Sequence, residues 1–168
     1  MKKIALSLLL AGSLLTAGSF GQLGAGYSKG NNSDNFVTVF GSLNALGNIG
    51  VRLEYTKNIS ENPEFSAEDI SRYGIFATYT LPLMGGLSLT PKIGMTKTDS
   101  SFTVLDTLTA VSDTSTDFTY GLEINYDINE KVSAYVGYTD YGSNLDISHI
   151  DTSKLDSANY TFGIKINL

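Results

Sequence analysis

The last twelve residues of the chain, Ser157 to Leu168 (SANYTFGIKINL), sort by parity. Ala158, Tyr160, Phe162, Ile164, Ile166 and Leu168 form one series; Ser157, Asn159, Thr161, Gly163, Lys165 and Asn167 form the other. Period-two alternation held over a full strand length is how a β-strand sorts an apolar and a polar face. The apolar face must be covered, by a core in a soluble sheet or by lipid in a membrane barrel. The rest of the sequence decides which.

At 168 residues the chain has room for one domain and little more. It has no cysteine, so it holds neither a disulfide framework nor a thiolate metal site. Charged residues make up 17% and the mean hydropathy is +0.01. A helical membrane protein would be far more apolar and a disordered chain far more charged, whereas alternating strands average near zero. The first residues have the layout of a secretory leader. Lys2 and Lys3 precede an apolar run, Ile4 to Leu15, that is too short to span a bilayer as a helix, and small residues follow. Residues 1–21 are therefore expected to be a signal peptide, cut after Gly18, Ser19 or Gly21, and 22–168 the mature domain. Losing the two lysines takes the net charge from −6 to −8.

Eight strands are predicted after the leader. They are Gln22–Ser28, Asn35–Ala45, Ile49–Thr56, Arg72–Leu83, a fifth beginning at Leu87, Phe118–Ile128, Lys131–Tyr141 and the closing strand. The second has Val37, Val39, Leu43 and Ala45 on one face, with Phe36 and Phe40 beside the polar residues of the other, so its polarity is ambiguous. Pro91 sits within the fifth, where it cannot donate to a ladder, and a bulge or unpaired position is expected there. Gly47-Asn48, Met84-Gly85-Gly86 and Asn129-Glu130 make tight turns. The other connections are long and polar. In the second of them, Ser66 with Asp69 could cap one short helical turn. In the third, Asp99 to Asp117, the stretch Phe102 to Val111 still has strand-forming composition and could extend a hairpin out of the membrane.

The long and short connections alternate, the strands are about ten residues long, the length that crosses a bilayer at a tilt, and 13 of the 17 acidic residues fall in or beside the long loops. A soluble sandwich or lipocalin-like barrel would have to bury every tyrosine of the apolar series. In a membrane, Tyr27, Tyr55, Tyr73, Tyr120, Tyr138 and Tyr160 fall near loop ends and Tyr126 near a turn, as an aromatic girdle does. The opposite face then lines the interior, where Arg52, Glu54, Lys92, Glu123 and Lys165 point. An eight-stranded barrel is only wide enough to be filled by side chains. Isolated charges there are costly and paired ones tolerable, so these five are read as a packed polar plug.

The chain thus resembles the small eight-stranded outer-membrane β-barrels of the OmpA/OmpX type, a porin-like group. The likeness covers nearly all of the mature domain. Tyr160, Phe162, Ile164, Ile166 and Leu168 resemble the signal read by the outer-membrane assembly machinery, with Leu168 where most such barrels end in an aromatic. The resemblance implies an all-β, up-and-down antiparallel transmembrane barrel with four long extracellular loops and three short periplasmic turns. It implies a location in the outer membrane of a Gram-negative bacterium. The partners it implies are outer-membrane lipid and lipopolysaccharide, the assembly machinery, and an extracellular protein met through the loops. It also implies an interior salt-bridge network and brings no catalytic motif.

Little else in the sequence offers chemistry. His149, the only histidine, lies in the last loop within Asp146-Ile-Ser-His149-Ile-Asp151. Its flanking acids do not match the spacing of outer-membrane proteases, and Ser148 beside it would point the other way in an extended chain. No loop has an ordered D-x-D-x-D-G spacing for a cation, no glycine pattern cradles phosphate, and no basic stripe suits nucleic acid. No enzyme activity, cofactor or metal is expected. The expected role is structural, with surface interaction through the loops as adhesion or partner contact. A narrow channel for ions or small solutes is the alternative, followed by a lipid A-modifying enzyme.

Overall fold

In the computed structural model the described residues are 21–30, 34–60, 68–104, 109–142 and 158–168, and they form strands and turns only. The strands are β1 (Gly21–Gly30), β2 (Asn35–Leu46), β3 (Ile49–Asn58), β4 (Glu68–Tyr79), β5 (Leu81–Pro82), β6 (Leu87–Val104), β7 (Thr109–Asp127), β8 (Val132–Asp140) and β9 (Ala158–Asn167). Each pairs antiparallel with its chain neighbour, and β1 pairs with β9 from Gln22↔Asn167 to Gly30↔Asn159. That last pairing closes the sheet, so no edge runs the length of the barrel. The two-residue β5 continues β4, and the closed barrel has eight staves.

The break between β4 and β5 follows from one residue. β4 pairs with β6 as far as Thr78↔Lys92, and β5 resumes the same register at Leu81↔Leu89. Between them stands Pro91, which has no N–H to give. On its other side β6 pairs with β7 without interruption through Pro91↔Leu122. The ladder therefore loses a rung at Pro91 with no bulge. A register shift occurs instead in β2, between Asn44 and Leu46. The glycines of the first two turns take positive φ, +57° at Gly47, +70° at Gly85 and +77° at Gly86, which a side chain would resist.

Alternation sorts the faces. On β7, Phe118, Tyr120, Leu122, Ile124 and Tyr126 are exposed while Thr119, Glu123 and Asn125 are buried; Ile124 is 47% exposed and Glu123 3%. An apolar outer surface around a polar interior inverts a soluble protein, and it is what a hydrocarbon solvent selects. On β2 the ambiguity resolves inward for both aromatics: Phe36 and Phe40 are buried and Val37 and Val39 exposed. Ala158, placed by parity in the outer series, is buried at the start of β9 beside buried Asn159.

Strand structure runs into two of the long connections, at the third as the hairpin extension expected over Phe102 to Val111 and at the second against expectation. β6 and β7 keep pairing beyond the rim, from Asp99↔Thr114 to Val104↔Thr109. β4 follows them, with Glu68↔Phe102 and Asp69↔Ser101. The helical turn expected at Ser66 and Asp69 is thus not formed at Asp69, because extended β6 offers it a ladder partner; Ser66 lies outside the described residues. Residues 1–20 and His149 lie outside them too.

Candidate functional site

The lumen holds the five charged side chains at one level. β3 supplies Arg52 and Glu54, β6 Lys92, β7 Glu123 and β9 Lys165, all buried. The Arg52 guanidinium donates twice to Glu123, through Nη1 to Oε1 and through Nη2 to Oε2, the latter at 3.0 Å. Lys92 Nζ donates to Glu54 Oε2 at 2.7 Å, and Lys165 Nζ to Glu123 Oε2 at 2.7 Å. Three cations against two carboxylates leave one formal positive charge, and polar groups spread it. Lys165 also donates to Asn125 Oδ1 at 2.5 Å, while Tyr141 Oη donates to Glu54 Oε1 at 2.9 Å.

Aromatic rings wrap this cluster. Arg52 lies 4.0 Å from the Phe40 ring centroid, Lys92 4.8 Å from that of Phe76, and Lys165 4.9 Å from that of Tyr135. A cation over a ring face is favoured by the ring quadrupole, more so away from water. Glycines make room for the rings. A Cβ on Gly24 would stand 2.1 Å from Phe40, one on Gly26 2.4 Å from the Tyr135 hydroxyl, and one on Gly74 2.4 Å from Phe76. Gly26 and Gly163 face each other across the β1–β9 closure, with Tyr135 against both. These aromatics, together with buried Arg72, which lies 4.8 Å from the Phe36 ring centroid and 4.6 Å from that of Tyr141, are not among the site residues the sequence points to. The signal of the rings is an aromatic within a polar series, with glycines on the neighbouring strand.

Toward the long loops a hydroxyl chain continues from the cluster. Thr161, Ser28, Thr38 and Thr56 link side chain to side chain, and Thr56 meets Tyr141 at 3.3 Å. Toward the turns, Asn125 Nδ2 donates to Thr90 Oγ1 at 3.0 Å and to Ser88 Oγ at 3.2 Å. Among the described residues no group of three or more acids and histidines is placed to hold a metal ion.

On the outer surface, Tyr27, Tyr55, Tyr73, Tyr120, Tyr138 and Tyr160 lie toward the long-loop end. Tyr55 and Tyr73 pair across strands at 5.0 Å between centroids, and Tyr138 and Tyr160 at 5.4 Å. Phe118 and Phe162 are exposed in the same zone; Tyr126 lies toward the turns, as does exposed Tyr79, which the sequence reading left out. Tyr160, Phe162, Ile164, Ile166 and Leu168 form one exposed row along the closing strand.

A second feature stands above the rim. β7 pairs with β8 only as far as Tyr120↔Asp140. From Thr109 to Phe118 its only ladder partner among the described residues is β6, and at Thr119 the side chain also donates to the Tyr141 carbonyl at 3.4 Å. The Thr114 N–H donates to Asp113 Oδ1 at 2.8 Å, so it points away from β6, and alternation along an antiparallel strand repeats that direction every second residue.

A closed antiparallel barrel with an apolar exterior and a polar, ion-paired interior is a transmembrane β-barrel. This chain belongs to the outer membrane protein β-barrel domain family, whose model matches residues 6–167. Solved structures share the fold at low identity. The N-terminal barrel of OprF from Pseudomonas aeruginosa is 12% identical with a TM-score of 0.69, the match covering 89% of this chain and 98% of that one. Ail, the attachment invasion locus protein of Yersinia pestis, is 13% identical with a TM-score of 0.57, over 90% of this chain and all (100%) of that one. Neisserial surface protein A is 10% identical with a TM-score of 0.52, over 88% and 94%. No curated protein matches the chain in sequence.

Proposed function

We propose that the protein is a closed outer-membrane scaffold whose working part is the β6–β7 hairpin at the outer face, an adhesive surface for a partner protein. The observation that carries this reading is the flank of β7 from Thr109 to Phe118, which has no ladder partner among the described residues. A strand edge offers alternating N–H and C=O groups to any extended segment that approaches. The leader exports the chain, and the assembly machinery reads the closing strand. Gly21 already pairs with Leu43, so cleavage after Gly18 or Ser19 leaves β1 whole. The lumen cluster is a plug that holds the staves together.

Ail has been crystallised with the heparin analogue sucrose octasulfate. A polyanion suits this chain poorly, because the long loops and their edges carry most of its acidic residues. An extended peptide is the better match.

A narrow channel is the second reading, favoured by one observation. Arg52 lies 3.9 Å from Glu54 and Lys92 3.9 Å from Glu123, so each cation has a second carboxylate close by. Exchange of partners would take little movement.

The test is attachment. Bacteria displaying the full chain, and bacteria displaying a variant in which residues 97–116 are replaced by Asn-Gly so that the turn joins the paired Thr96 and Asp117, are compared for binding to cultured cells. Loss of attachment with an intact barrel supports the hairpin as the working part. Equal attachment overturns it.

A further inference from the structure

The rim at the short-turn end is chemically lopsided. The β2–β3 turn and its flanks, Leu43 to Val51, carry no charged residue, and neither do Tyr79 to Leu89 around the β5–β6 turn. The β7–β8 turn reads Asp127-Ile128-Asn129-Glu130-Lys131. Its Asn129 Oδ1 accepts from the Lys131 and Val132 N–H groups, both at 2.9 Å, in the manner of a solvated turn.

The two uncharged turns are neighbours. Ile49 pairs with Tyr79, and the Thr80 N–H donates to the Asn48 carbonyl at 2.8 Å. Together they expose Met84 at 89%, Leu46 at 77% and Leu83 at 56%, beside Ile49, Leu81 and Leu87. Six large apolar side chains on one rim are far more than scattered exposure explains. The Asp127 N–H donates to the Gly86 carbonyl at 2.9 Å, so the tip of the second turn stands level with the charged third one. If the barrel stood upright, membrane depth would be equal at both. Either Glu130 and Lys131 would enter lipid, or Met84, Leu46 and Leu83 would sit in water.

We propose that the barrel leans, so that the rim formed by the first two turns is immersed in the lipid leaflet at that end while the third turn stays in water. The partner of this surface is phospholipid acyl chain. The immersed rim is continuous with the lipid-facing rows above it. Leu81 follows Tyr79, Ala77 and Ile75 down one lipid-facing row, and Ile49 follows Leu53 and Val51 down the next, with no charge between belt and turn. Tilting is how a spanning element meets a belt of uneven height. A second copy of the chain, or a soluble protein docked on the turns, would need the same patch to face water first.

The chain has no cysteine, so single probes are clean. Leu46→Cys, Met84→Cys and Glu130→Cys variants, each carrying an environment-sensitive fluorophore, are refolded into phosphatidylcholine vesicles at low protein-to-lipid ratio. Emission at positions 46 and 84 should be blue-shifted, lost to lipid brominated high on the acyl chain and spared by aqueous iodide. Position 130 should behave in the opposite way. Iodide quenching at 46 and 84 equal to that at 130 would overturn the proposal in favour of a docking surface. Protection from both quenchers together with cross-linking between copies would overturn it in favour of a dimer. If the labelled variants fold poorly, the unlabelled Leu46→Glu, Met84→Glu double variant gives a second reading. It should unfold at lower urea than the parent in vesicles but not in detergent micelles, which adapt to the barrel; equal midpoints in both would overturn the proposal.

Discussion

At the scale of single residues, the lumen depends on matched partners. Glu123 accepts from both Arg52 and Lys165, so Glu123→Gln leaves three buried cations, Arg52, Lys92 and Lys165, with one carboxylate, Glu54, among them. Breaking a buried pair by removing one partner costs about 3–5 kcal/mol. The expected result is a lower urea midpoint in detergent with the β-type circular dichroism of the folded state unchanged. The glycines divide into two kinds. A Cβ on Gly94 would stand 1.9 Å from the Ile75 carbonyl oxygen, which is backbone and cannot step aside. Gly94→Ala should therefore cost more than the roughly 1–3 kcal/mol of ordinary overpacking. Gly47 has open space around it and φ +57°, so Gly47→Ala should cost only about 1–2 kcal/mol, from backbone conformation alone. Unfolding curves of the two variants in one detergent check the order. These side chains were legible to different degrees. Arg52, Glu54, Lys92, Glu123 and Lys165 are visible in the sequence because a charge within a polar series has only the interior to enter. Which carboxylate meets which cation is not visible, since it depends on how far the staves slide past one another on closure. Nor is the partnership of Phe40, Tyr135 and Phe76 with glycines, because it joins residues of different strands.

At the scale of elements, turns were easier to read than strand ends. Gly47-Asn48 and Gly85-Gly86 announce themselves by residue type. The tops of β6 and β7 are half legible: Ser, Thr and Asp around them read as loop, while the strand-forming composition of Phe102 to Val111 points to the hairpin that the ladder completes up to Val104↔Thr109. Pro91 shows the reverse: a single residue forecasts a missing rung, and the facing strand divides into β4 and β5 opposite it. The hairpin supports a sharp test of the edge. Thr114 directs its N–H away from β6 and toward Asp113. Thr114→Pro therefore removes a donor from the open edge without removing a β6–β7 rung. Barrel stability measured by urea unfolding should hardly change, while attachment of displaying cells falls. Attachment equal to wild type would show that the edge is not what the partner pairs with.

At the scale of the whole molecule, the alternation in the closing strand and the three tight turns together foretell a barrel, and the family match and the sheet closure agree with it. The lean was not foretold, although its raw material is plain in the sequence. The uncharged turns become one surface only when β3 and β4 bring Ile49 beside Tyr79. A leaning barrel keeps its third turn wet while the first two are immersed, and the fluorophores at positions 46, 84 and 130 report that directly.

The central claim is that the lumen is shut and that the protein works at its rim. Single-channel recording of the refolded chain in a planar bilayer tests it most directly, beside the Glu123→Gln variant and with folding confirmed by circular dichroism. A shut lumen predicts a silent bilayer for the wild type. Small, reproducible conductance steps that change size or frequency in Glu123→Gln would contradict it and make the ion cluster a gate.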